Sequence, residues 1–154
     1  MNATADSPSA LFRARFAAFK AGDTDFIWRT YSRGNAFYRE YPNPADFRAD
    51  YGAMLVKGVA VEEILEAREP ARFAAARALL PDPDEPTEAR GLLVYALVYQ
   101  VGRHKEYHHE LGLFLRQAGH WGFHSSVSTP TRRYRPGTPL KSVVFGGLRF
   151  GGAA

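Results

Sequence analysis

Cysteine is absent from this chain of 154 residues, which excludes disulfides, thiolate metal sites and thiol nucleophiles. Any structural zinc would have to be held by histidine and carboxylate alone. No run approaches the roughly 18 apolar residues that a membrane helix needs, and the opening MNATADSPSA lacks a basic region followed by an apolar one. The expectation is a soluble, untargeted, cytoplasmic protein with no membrane partner. A further absence is one-sided: residues 111–154 contain no Asp or Glu but six Lys and Arg, whereas residues 1–110 hold all 16 acids against 14 bases. A segment of net charge +6 thus follows a body of −2, an asymmetry that favours an anionic partner. TRRYRPGTPLK has no regular interleaving of basic and aromatic residues. Only weak, salt-sensitive nucleic-acid binding through this C-terminal tail is expected.

What is present fits one domain, since a chain of this length buries roughly two-thirds of its unfolded surface. Ser7-Pro8 supplies a cap and a first-turn proline for SALFRARFAAFKAG, with Phe12, Phe16 and Phe19 at helical spacing and Gly22 as the stop. On a wheel advancing about 100° per residue, Arg15 lies about 60° from Phe12 and about 40° from Phe19. Arg15 therefore points into the apolar face, and Arg13 points to water. TDFIWRTYS predicts a second, short helix, with Asp23 and Asp25 as helix-start residues. NPADFRADYGAMLVKG predicts a third, begun at Asn43-Pro44 and stopped at Gly58.

After Gly58 the pattern turns extended, through VAVEEILEARE, GLLVYALVYQVG, KEYHHELGLFLRQ and HWGFHSSVS. Between the first two lies an alanine-rich stretch that predicts a helix, then a proline-rich acidic loop. Helices before an antiparallel sheet indicate an α+β domain, the helices on one face. In GLLVYALVYQVG both alternating sets are apolar, Leu92, Val94, Ala96 and Val98 against Leu93, Tyr95, Leu97 and Tyr99. A strand open to water on one side would alternate instead, so the outer face should be covered. KSVVF at 141–145 and a homodimer through the sheet are the two candidate covers.

The segments LFRARFAAFKAGDTDFIWRTY and HHELGLFLRQAGHWGF resemble the YchJ-like family. Arg13, Arg15, Gly22, Asp23, Thr30, His109, Glu110, Phe114, Gly119 and Trp121 match its pattern, while Tyr31, Ser32 and Gly112 depart from it. The resemblance covers residues 9 to about 126, with 69–90 looking like an insertion. It implies the nuclear transport factor 2-like cone, here three N-terminal helices packed on a curved antiparallel sheet. The family often carries a cysteine-rich SEC-C zinc motif, which a chain without cysteine lacks. It implies no activity. The domain is expected at 1–128, with 129–154 a basic, Pro/Gly-rich extension.

YHHELGLFLRQAGHWGFHSS holds four of the chain's five histidines. With Ala118-Gly119 as a two-residue turn, Gln117 faces His120, Leu115 faces Gly122 and Leu113 faces His124. His109 and His124 then share a face but stand about 14 Å apart along the strands, too far for one zinc. No metal site and no cofactor is expected.

Glu110 shares a strand face with Phe114, Trp121 and Phe123, the face that meets the helices. A lone carboxylate there is costly, and Arg15 is its natural ion-pair partner. Arg15, Tyr31, His108, Glu110 and Trp121 are the candidate pocket residues for a small polar ligand. The leading reading is a non-catalytic small-molecule-binding or protein-interaction module. A small enzyme of hydrolase or isomerase type, using Glu110 or His108 as a base, comes second. A nucleic-acid or ribosome-associated protein acting through the basic tail comes third.

Overall fold

The computed structural model describes residues 5–54, 56–67, 76, 79–80, 85–101, 103–129 and 133–149. Its helices are α1 (Pro8–Ala21), α2 (Thr24–Arg29), α3 (Phe37–Glu40) and α4 (Pro44–Met54). The strands are β1 (Val56–Ala67), β2 (Ala89–Val101), β3 (His104–Gln117) and β4 (His120–Ser128), then β5 (Val144–Phe145) and β6 (Leu148–Arg149). The first four form an antiparallel sheet in sequence order, and β5 and β6 form a separate small ribbon.

The local signals act as their chemistry predicts. Ser7 Oγ accepts from the Ala10 amide at 3.1 Å, and Gly22 closes α1 in the left-handed conformation at φ 72°. Asp23 caps α2 by accepting from the Phe26 amide. Asn43 accepts from the Asp46 amide at the start of α4. Gly58 does not stop that helix as expected: α4 ends at Met54 and Gly58 lies inside β1. The pairing of β1 with β2 slips between Val56 and Val59, so the glycine sits in a bulge, where a missing side chain eases the extra residue. The one-turn helix α3 adds to the three helices expected. The alanine-rich helix expected between β1 and β2 falls largely outside the described residues.

Each face of the sheet carries its own apolar cluster. On the inner face, Leu93, Tyr95 and Leu97 of β2 and Phe114 of β3 meet Leu11 and Phe12 of α1. On the outer face, Leu92, Val94 and Ala96 of β2 and Leu111, Leu113 and Leu115 of β3 meet Leu140, Val143 and Phe145, together with Ala76 and Leu80. The chain's own C-terminal segment thus occupies the face that the strand pattern requires to be covered. A third cluster, around Ala18, Ile27 and Phe47, ties α1, α2 and α4 together.

Candidate functional site

The β3–β4 hairpin sets one wall of the site. Ala118 and Gly119 take positive φ, 50° and 77°, the combination a two-residue hairpin turn needs to match strand twist. Gln117 faces His120, Arg116 faces Trp121 and Leu115 faces Gly122, as the sequence predicts. Beyond Phe114, which pairs with Phe123, the register shifts and Leu113 faces Ser125 rather than His124. The extra residue puts His124 at the bulge, where its Nδ1 lies 2.7 Å from Ser32 Oγ. That contact belongs to a seam along the edge of β4. Ser32 donates its amide to Phe123 O at 2.8 Å, Phe123 donates to Thr30 O at 2.9 Å, and Asn35 Nδ2 donates to His124 O at 2.8 Å. Gly122 permits this approach, since a Cβ there would lie 2.8 Å from Ser32 Cα.

Between α1 and the inner sheet face lies a cavity of about 250 Å³. Phe12, Arg15, Phe16 and Phe19 line it from α1, one helical face at spacings of three and four. Tyr31, Tyr95, Leu97, Phe114 and Phe123 complete the apolar wall, and Glu110 and Ser126 add polar groups. Gly112 makes room for the wall: a Cβ there would lie 2.9 Å from Tyr95 Oη.

Arg15 is 5% exposed. Its Nη1 donates to Ile27 O at 3.1 Å and to Thr30 Oγ1 at 2.6 Å, adding a donor at the carbonyl end of α2, where Thr30 already caps Ile27 O. Its guanidinium carbon lies 4.5 Å from the centre of the Tyr31 ring and 5.0 Å from that of Phe123. Burial lowers the pKa of this group, and Tyr31 is the largest influence opposing that shift. Thr30, not Glu110, is the side-chain partner. The expected ion pair does not form: both hydrogen bonds of Arg15 go to the end of α2, although Glu110 borders the same cavity. The physical reason is reach, because Ile27 and Thr30 sit directly against α1, while Glu110 stands four residues along β3 from the Phe114–Phe123 pair on which Arg15 rests.

Of the five candidate residues, the fold brings Arg15, Tyr31 and Glu110 to one cavity. Trp121 packs on the inner apolar cluster without lining the cavity. His108 also lies off the wall, with its Nε2 3.1 Å from Glu106 Oε2 on the same strand. Sequence reasoning missed Thr30, whose signal was local, since a threonine four residues after Phe26 back-bonds to the Phe26 carbonyl and leaves a lone pair for Arg15. His109 is buried on the opposite face, its ring 4.9 Å from that of Tyr107 and 5.4 Å from that of Tyr134. Among the described residues no group of three His, Asp or Glu side chains could hold a metal ion.

Residues 7–126 match the family described as YchJ, middle NTF2-like domain. The chain belongs to this YchJ-like family. The α+β architecture is that of the nuclear transport factor 2-like fold. A solution structure of a SEC-C motif containing protein from Rhodopseudomonas palustris is similar, with a TM-score of 0.52, 21% identity and 83% of each chain covered. A SEC-C motif containing protein from Psychrobacter arcticus gives a TM-score of 0.48 and 14% identity over 92% of this chain and 68% of that one. No curated protein matches. Among the described residues no helix is long and apolar enough to cross a membrane.

Proposed function

We propose that this YchJ-like domain is a non-catalytic, cytoplasmic small-molecule-binding module whose ligand sits in the cavity between α1 and the inner sheet face. The observation that carries the reading is a cavity of about 250 Å³ with aromatic walls and one buried cation at its edge. A largely apolar, concave site with a few convergent polar groups is the form that ligand sites take. His108, directed to Glu106, is not beside Glu110 in the cavity wall, so this reading assigns no acid–base pair. Native mass spectrometry of freshly purified protein is the direct test. A retained small molecule lost on heating supports the reading, and a bare polypeptide that binds none of a broad aromatic and aliphatic fragment set defeats it.

A second reading rests on a different observation. Arg133, Arg135, Lys141 and Arg149 of the outer segment are all exposed. Four phosphate contacts would release few counterions, giving weak, sequence-independent and salt-sensitive RNA binding. Tight binding of one RNA sequence at physiological salt would make this the primary function.

A further inference from the structure

We propose that the cavity is selective for small aromatic carboxylates, such as a one-ring acid with a short arm, held by Arg15. This rests on the binding reading above and adds the chemistry of the ligand. Arginine keeps its charge in proteins, and a buried cation is costly unless a counter-charge or a full set of acceptors meets it. Among the described residues the partners of Arg15 are all neutral, namely a carbonyl, a hydroxyl and the faces of three rings. Both hydrogen bonds leave from Nη1, whereas a guanidinium presents five N–H groups in a fixed plane. The edge formed by Nη2 and Nε is the fork that matches two carboxylate oxygens.

Size and shape narrow the ligand further. A dry cavity of about 150 Å³ takes one benzene molecule, so about 250 Å³ corresponds by proportion to about ten non-hydrogen atoms. That is one ring plus a short acidic arm. Phe12, Phe16, Phe19 and Phe114 supply flat apolar walls for the ring, which stacks offset or edge-on against them. Charge sets the polarity. Arg15 stands by Phe123, which pairs with Phe114, and Glu110 is four residues further along β3, about 13 Å of strand. A carboxylate fits at the Arg15 end.

The experiment titrates the full chain with phenylacetate, with neutral phenylacetamide of the same shape, and with toluene. Calorimetry gives affinities and amide NMR gives the location. Phenylacetate should bind at least about tenfold more tightly than the amide, the margin of a charge-assisted hydrogen bond over a neutral one. The shifted amides should be those of Phe12, Phe16 and Ser126. Arg15→Gln should erase the preference for acid over amide; if that variant fails to fold, the acid and amide affinities of the natural chain decide. Equal affinity for acid and amide would overturn the proposal and leave the binding reading intact. Binding of none of the three, toluene included, would sink both. Shifts confined to residues 133–149 would show that the acid meets only the basic segment, which also overturns it.

Discussion

The two faces of one sheet are both apolar, and they are put to different use. The outer face is mainly aliphatic, and Leu92, Val94, Leu111, Leu113 and Leu115 are closed over by Leu140, Val143 and Phe145. Every one of these side chains is at most 3% exposed. The inner face is aromatic, meets an aromatic helix face and leaves a cavity. Branched aliphatic chains interdigitate to crystal-like density, whereas rigid rings prefer offset and edge-on contacts, as between Phe12 and Tyr95 or Phe114 and Phe123. A strand apolar on both sides therefore signals two covers without saying that they are alike. One cover seals the sheet, and the other leaves a cavity.

The largest effect should come from removing the outer cover. A chain ending at Ser128 would expose the apolar side chains of β2 and β3, a patch beyond the few hundred Å² that a soluble monomer leaves open. Light scattering should show a monomeric full chain and an aggregating shortened one. A full-length dimer would mean that a second copy shares this face, and two well-behaved monomers would remove the distinction between the faces altogether.

A matched pair of substitutions sharpens the comparison. Leu113→Phe adds bulk to the sealed outer face and should cost about 1–3 kcal/mol by overpacking. Leu97→Phe adds similar bulk beside the cavity and should change stability by less than about 1 kcal/mol, because the ring has space to enter. Urea midpoints measure both. The inner variant should also lose ligand binding while it keeps its fold. Equal costs would mean that the inner face is packed as tightly as the outer one.

How much of this was legible depended on the range of the interaction. Caps at Ser7, Asp23 and Asn43 and the turn at Ala118-Gly119 are decided within four residues, and they read directly. The two faces of β2 and β3 followed from alternation alone. The bulge at His124 did not, because it depends on Ser32 and Asn35 docking against an edge strand about 90 residues away in sequence, as in the Ser32–His124 contact. The partner of Arg15 was misread for a related reason. A wheel angle gives the direction of a side chain, but the choice between Thr30 and Glu110 is made by how α2 folds back on α1. The family resemblance supplied the fold.

The smallest predicted effect separates the two sides by alkaline pH. Tyr38, on the helical side, donates its hydroxyl to Trp28 O at 2.8 Å, and its pKa is raised from 10.0 to about 12, mainly by burial. Burial also raises the pKa of Tyr51, on α4, and a hydrogen bond to Asp50 raises that of Tyr41. A raised folded-state pKa means that the unfolded chain releases its proton first. The contribution to stability is therefore complete below about pH 10 and is lost as pH rises towards about 12. Tyr38 is only partly buried, and solvent screening keeps the slope shallow. Tyr38→Phe removes the titrating group and should flatten that loss, at the expense of about 1 kcal/mol at neutral pH from the missing hydrogen bond to Trp28 O. Denaturant midpoints of both proteins across this alkaline range, with phenolate absorbance followed in parallel, test the sign. A variant that loses stability as steeply as the parent would place the alkaline weakness elsewhere than at Tyr38, and the helical layer would no longer be the side of the sheet that loosens first.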